Sequence, residues 1–481
     1  MSKSIKKNAV LISIRRLMQL IFPLITFPYS SRILMPEGLG KIQFAAAVAT
    51  YFSLLANLGF TNYAIREAAK IRDDKKALSK FAKEIFILNM ISAFIAYILL
   101  AIALMSIPKL QDYKSLIIIY SAMILFNVIG IDWLFYAIEE FSFITIRSLV
   151  FQIISLILLF TLVKTKDDYL EYAAIAVFAN VGSNFFNFLY SRKFINWLFK
   201  VKLSLKKHIK PVMILFGLVL VTQVSRIIDT TVIGFLSTND NVGYYAAAIK
   251  IVRIVINLVS AMLTVLLPRL TYYIKHNKQQ EFTNVITTSC KYLLFFSIPA
   301  CVGLFLLCKP IILLFSGSQY LPAINAMKIL SPTIIFTSIT SLIGIQLFIP
   351  LGKETLTLKT VLVGSILNFT LTVLLVPHLA VNGATIATLF SEFLVASIEM
   401  YLARKYIPYK KLIKLLLQSC IASAIMGYII FELAKYISNI IILICCSIPV
   451  GMVVYGVVLF CLKNEIVFDL LQKVQSKIYK N

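Results

Sequence analysis

The chain reads as an all-α, polytopic membrane protein, and three observations predict it. Hydrophobic residues fill 60% of the 481 positions and charged residues only 14%, against roughly 25% charged in soluble domains. The apolar residues gather into runs of the length a helix needs to cross a bilayer, about 20 residues each. The basic residues between those runs alternate between crowded and sparse connectors, as the positive-inside rule requires. Fourteen spans are expected, at 9–34, 42–66, 84–106, 115–138, 143–163, 170–192, 211–236, 243–268, 286–308, 323–349, 356–376, 382–403, 415–434 and 439–462.

Of the 47 Lys and Arg, seven fall inside spans, 32 in the even-numbered connectors and the termini, and eight in the odd-numbered connectors. The crowded side is the cytoplasm by this rule, so both chain ends are expected there. The net charge of +26 does not point to nucleic acid. The basic residues are spread over short loops, where topology and anionic lipid head groups account for them.

Taken in order, the first span follows MSKSIKKNAV. It is too long for a signal-peptide core and lacks an A-x-A cleavage pattern, so it is expected to be retained. Pro23 and Pro28 are its expected breakpoints. The longest hydrophilic stretches, 67–83, 193–210, 269–285 and 463–481, are too short to build a soluble core. Segment 193–210 alternates apolar and basic residues, which fits a helix lying on the membrane face, and it sits where a linker between halves would sit. An internal repeat at an offset of 203 sets Gly40-Lys41-Ile42-Gln43-Phe44-Ala45 against Gly243-Tyr244-Tyr245-Ala246-Ala247-Ala248. Each segment opens a span after a short polar turn, and glycine followed by small residues lets helices approach closely. The expected organisation is a six-helix lobe over 1–192, a basic cytoplasmic linker over 193–210, a second six-helix lobe over 211–405, and a further helix pair with a tail over 406–481.

No catalytic set emerges. His208, His276 and His378 all lie in connectors, and there is no GxxxxGK[ST] phosphate loop. The seven cysteines lie in or beside spans, form no CxxC pair and read as small buried hydrophobes. No metal or organic cofactor is expected, and energy would come from ion gradients, membrane potential or substrate concentration.

The charges inside spans are the candidate functional residues: Arg15, Arg16, Arg147, Arg226, Lys250, Arg253 and Lys328. Each costs at least about 2.5–3.5 kcal/mol at mid-bilayer, so such residues pair or face water. Depth follows from counting residues back from a hairpin turn, at about 1.5 Å each. Asp229 and Lys250 both lie 10.5 residues from the turn centred at 239.5, and Arg226 and Arg253 both lie 13.5 from it. Asp229 and Lys250 therefore read as a structural salt bridge, with Lys250 also a candidate cavity cation and Asp229 also a candidate ion-coupling group. Asp132 and Arg147, each 7.5 residues from the turn at Glu139-Glu140, read as a second structural pair. Arg15 and Arg16 lie about 9–11 Å into the first span, within snorkelling range. Glu392, about 18 Å into its span, is either a protonatable or sodium-coupled carboxyl or a hydrogen-bonded one.

Five segments carry a family resemblance: FPYSSRILMPEGLGKIQFA (27–45), NLGFTNYAIREAAKIRDD (57–74), RIIDTTVIGFLSTNDNVGYYAAAIKIVRI (226–254), LLPRLT (266–271) and VNGATIATLFSE (381–392). In this order the chain resembles the polysaccharide-repeat flippases of the multidrug/oligosaccharidyl-lipid/polysaccharide exporter superfamily. The resemblance implies two lobes that carry an undecaprenyl-diphosphate-linked oligosaccharide across the bacterial cytoplasmic membrane by alternating access, with membrane lipids and polysaccharide polymerase machinery as partners. It also places Arg15, Arg16, Arg226, Arg253 and Lys250 on a cationic cavity that would receive the diphosphate, guanidinium forks being suited to phosphate oxygens. Coupling would be to H+ or Na+, at Glu392 or Asp229. The spans after Arg404 match no motif of the family. A lipid II flippase and a multidrug exporter of the same superfamily are the alternative readings. A membrane-embedded glycosyltransferase or polymerase would need larger external loops or a carboxylate pair at the membrane surface.

Overall fold

The computed structural model of the protein describes residues 5–198, 202–264, 267–276, 278–469 and 472. Among them every regular element is helical, and the chain divides into two compact units, Met1–Gly243 and Tyr244–Asn481. Many apolar helices of crossing length make it a multi-pass membrane protein. Among the described residues ten are long and apolar enough to cross, or eleven when Ala323–Leu330 and Thr333–Phe348, bent by 43°, count as one span. Two of the ten, Ile21–Lys70 and Glu354–Ala403, run for 50 residues, a length that at about 1.5 Å per residue suffices for two crossings each. Fourteen spans stand as the expectation.

In the first unit, α1 (Ile5–Asn57) passes through a break at Met35, where φ is 60° and ψ 172°. The break is not at Pro23 or Pro28. It falls on the residue before Pro36, whose ring disfavours a helical ψ there; that ring does not account for the positive φ. Leu58 and Gly59, both at positive φ, turn the chain into α2 (Phe60–Lys70). Next, α3 (Lys75–Ser106) begins at Asp74, whose carboxylate accepts the amide hydrogens of Lys76 and Ala77. Then come α4 (Pro108–Gln111), α5 (Lys114–Gly130), α6 (Asp132–Ala137), α7 (Phe141–Leu162), α8 (Tyr169–Val177), a π-helical turn at Phe178–Gly182, and α9 (Asn184–Ser191). The expected span 115–138 is thus two helices, separated by Ile131 in the left-handed region. One apolar core joins Tyr63, Phe81, Ile85, Trp133, Leu134 and Ile195.

Segment 193–210 is not one surface helix. Among its described residues 193–198 and 202–205 are turn or coil, and α10 (Lys206–Leu236) starts inside it. Burial of Ile195 and His208 explains the difference, because both are drawn into the fold instead of lying along a lipid surface.

The two glycines matched by the internal repeat pack reciprocally. A Cβ at Gly40 would lie 1.8 Å from the Asn239 carbonyl oxygen, and one at Gly243 would lie 2.2 Å from that of Pro36. Beside them Phe44 fills the space where Gly234 has no side chain, 2.0 Å from the position of a Cβ. Tyr113 donates to Asn239 Oδ1 at 2.6 Å and Lys109 to the Phe235 carbonyl at 2.9 Å.

The second unit takes up α11 (Asn239–Thr264) and continues with α12 (Leu267–Lys275), α13 (Gln279–Leu306), α14 (Cys308–Phe315), α15 (Ala323–Leu330), α16 (Thr333–Thr340) and a π-helical segment, Ser341–Phe348. After these, α17 (Glu354–Ala403) breaks at Ala380, φ 47°, three residues past Pro377. The last two helices, α18 (Tyr409–Tyr436) and α19 (Ile440–Cys461), pack on α13 through Ala422, Met426, Ile430, Tyr455 and Leu459. Tyr455 donates to the Phe295 carbonyl at 2.9 Å. Cys420, Cys445, Cys446 and Cys461 are exposed, which corrects the expectation of buried thiols. In a membrane the outer face of an apolar helix meets lipid, so a small apolar side chain there carries no penalty.

Candidate functional site

Four of the expected cavity and coupling residues lie on α10 and α11. On α10, Arg226 is exposed and Asp229, one turn on, is buried at 4% exposure. The Tyr51 hydroxyl bonds Thr231 in the same neighbourhood. On α11, Lys250 is half-buried and Arg253 exposed. Asp229 falls in the first unit and Lys250 in the second. The side chains of Arg15 and Arg16 lie outside the described residues.

Asp132 and Arg147 are brought together. The break at Ile131 turns Asp132 toward α7, and Arg147 Nη2 reaches its Oδ1 at 3.5 Å. Arg147, itself buried, also donates to the Ser183 carbonyl at 2.9 Å, just past the π-helical turn. Asn187 donates to the same Asp132 oxygen. A carboxylate and a carbonyl thus engage this buried guanidinium.

Glu392, on the second half of α17, is half-buried and accepts from Thr337 Oγ1 at 3.0 Å. Seven residues on, Glu399 is 0% exposed and is bonded by Thr360 Oγ1 at 2.8 Å. Sequence reasoning passed over Glu399, although the signal was present, a carboxyl 17 positions into the span expected to start at 382. It also passed over a buried chain of polar groups where residues 202–210 dock. The Tyr63 hydroxyl lies 2.7 Å from His208 Nδ1, and His208 Nε2 lies 2.8 Å from Glu84 Oε2. Glu84 also takes the Ser204 amide at 2.8 Å and Lys207 Nζ at 3.0 Å. Nothing in spacing alone joins residues 63, 84 and 208. At the rim, Arg72 pairs with Glu139 at 2.6 Å, and that carboxylate raises the guanidinium pKa. No cluster of three or more His, Cys, Asp or Glu suited to a metal occurs among the described residues.

Long apolar helices of this kind define the class: a polytopic, all-α membrane protein. The chain superposes on a solved structure of a lipid II flippase, MurJ, with a TM-score of 0.77 and 18% identity, over 96% of this chain and 100% of that one. A family model described as polysaccharide biosynthesis protein matches residues 5–274, more than half of the sequence, and the chain belongs to that family. It is 24% identical, over 83% of its length and 97% of the relative's, to a protein of Escherichia coli (strain K12) provisionally named an O-antigen transporter. It is 26% identical over 54% of its length, and 56% of the relative's, to Agl15 of Haloferax volcanii, provisionally named a low-salt glycan biosynthesis flippase. The family match contains Asp132, Arg147, Arg226, Asp229, Lys250 and Arg253 and stops short of Glu392 and Glu399.

Proposed function

We propose that the protein is a flippase for undecaprenyl-diphosphate-linked oligosaccharide repeat units, working in the bacterial cytoplasmic membrane for surface polysaccharide synthesis. It is a membrane transporter and not an enzyme. The reading is carried by membership of the polysaccharide biosynthesis family across the segment that holds the membrane-embedded arginines. In this reading both termini are cytoplasmic, and the two halves open alternately to either side. Arg226 on α10 and Arg253 on α11 bind the diphosphate, with Lys250 also on α11 and Arg15 or Arg16 contributing from α1. Bidentate guanidinium bonds suit phosphate oxygens better than the point charge of an ammonium. Asp229 bridges to Lys250 or couples an ion, and Glu392 is a second coupling candidate, for H+ or Na+. Polymerase machinery would take up the product on the far side.

A strain lacking the protein should accumulate lipid-linked oligosaccharide in the cytoplasmic leaflet and stop making surface polymer, and the restored gene should clear it. Likeness in fold to the lipid II flippase favours a second reading. Under it the same strain would accumulate the peptidoglycan precursor instead, with surface polymer unaffected.

A further inference from the structure

We propose that Glu399 is a proton-binding site, one that loads and releases a proton during the transport cycle and acts through the π-helical segment packed against it. The coupling role rests on the flippase reading; the site itself does not. Four features of the second unit support it. Glu399 has no exposure to solvent, and its Oε2 has no hydrogen-bond partner. Among the described residues its bonding neighbour is neutral, the Thr360 hydroxyl at 2.8 Å. That hydroxyl also lies 2.9 Å from the Thr357 carbonyl, and it has only one hydrogen for the two acceptors. When Thr360 bonds the carbonyl, the 2.8 Å contact needs its hydrogen from the carboxyl, so the geometry accommodates a carboxylic acid donating from Oε1. The ladder continues through Thr357, whose own hydroxyl donates to the Gly344 carbonyl at 3.1 Å.

Gly344 belongs to the π-helical segment Ser341–Phe348, and π-helical turns recur at functional positions. A Cβ at Gly344 would meet Thr357 Cγ2 at 2.9 Å and Glu399 Oε1 at 3.3 Å. The missing side chain lets the turn sit directly on the carboxyl. The same segment buries Gln346 with neither amide atom bonded, an uncommitted donor on the element that touches Glu399. Proton loss leaves a fully buried carboxylate with one neutral donor, which is costly until a further donor arrives. The π-helical segment is the element able to supply one, so protonation and backbone register are linked. Of the charged groups on neighbouring turns, Glu392 two turns back accepts from Thr337 at 3.0 Å, and Lys353 donates to the Tyr406 hydroxyl at 2.6 Å. The step is one protonation, carboxylate plus proton giving the acid, with no other reactant.

The test has two arms on the full-length protein. In infrared difference spectra of the purified protein, a carboxylic-acid carbonyl band present at neutral pH should fade as pH rises, vanish in Glu399→Gln and survive in Glu392→Gln. A band untouched by Glu399→Gln, or one that never titrates before the protein unfolds, would overturn the site. In reconstituted vesicles an imposed pH gradient should accelerate movement of a fluorescent lipid-linked diphosphate saccharide in the wild type. In Glu399→Gln the rate should be the same with and without the gradient. Acceleration retained in that variant, or a response to sodium at fixed pH that the variant removes, overturns proton coupling here. Should Glu399→Gln fold poorly, Thr360→Val keeps the carboxyl, removes the Thr360 hydroxyl bonded to it and should shift the same band. If the wild type moves no such lipid, the flippase reading fails and the infrared result alone decides the site.

Discussion

Gly40→Ala is expected to lower stability by about 3 kcal/mol, at the upper end of what overpacking a close contact costs. The new methyl would stand 1.8 Å from the Asn239 carbonyl oxygen, a backbone atom that no rotamer change can move aside. Gly243→Ala should behave alike, its methyl falling 2.2 Å from the Pro36 carbonyl oxygen. The two sites share one contact, so the double variant should cost less than the sum of the singles. Gly303, where an added Cβ meets nothing within 4 Å, is the control, and its alanine variant should stay within about 0.5 kcal/mol. Thermal unfolding of the purified proteins in detergent reads all four. A Gly40→Ala protein as stable as the control would mean that the two helix openings do not pack this closely.

Glu84→Ala is the second large effect. Glu84 is 0% exposed and holds three groups of the 202–210 segment: the Ser204 amide, Lys207 and His208. Removing it leaves His208, itself 2% exposed, with Tyr63 alone, and breaking a buried charged network costs about 3–5 kcal/mol. The segment should then detach, which proteolysis would report as rapid cleavage between α9 and α10. Glu67 offers the comparison, since it pairs at the surface with Arg66 and Lys70. Glu67→Ala should change stability by no more than about 1 kcal/mol. Equal proteolysis rates in the two variants would show that Glu84 does not hold the segment.

Hydropathy and charge alternation make the class of fold legible, because apolar run length and loop charge are set by the bilayer and not by tertiary detail. The breaks at Met35 and Ala380 fall inside the connectors expected at 35–41 and 377–381. The residue that breaks was less legible: Pro23 and Pro28 continue as helix, and the kink goes to the residue preceding Pro36. Equal counts from a turn set Asp132 level with Arg147, where the structure has an ion pair. That method addresses only neighbours in one hairpin. It is blind to the chain of Tyr63, Glu84 and His208, which joins three separate elements, and to Glu399, whose hydroxyl partner Thr360 is 39 residues away on the other half of α17. A fully buried carboxyl between the halves of a broken helix and a π-helical segment is a product of tertiary packing, and no period in the sequence announces it.

The central claim is that membrane-embedded arginines carry the diphosphate of a lipid-linked saccharide. The most direct measurement is surface polymer formed per molecule of protein in the membrane, for Arg226→Ala, Arg253→Ala and the two Arg→Lys variants. With both guanidiniums exposed on their helices, the account predicts normal amounts of protein in the membrane. Polymer per molecule should fall in the lysine variants and fall further, about tenfold or more, in the alanine variants, as expected when a charge-assisted bond of about 1.5–3 kcal/mol is lost. Near-normal polymer per molecule in both alanine variants would contradict it, as would loss of the protein from the membrane before any loss of polymer per molecule.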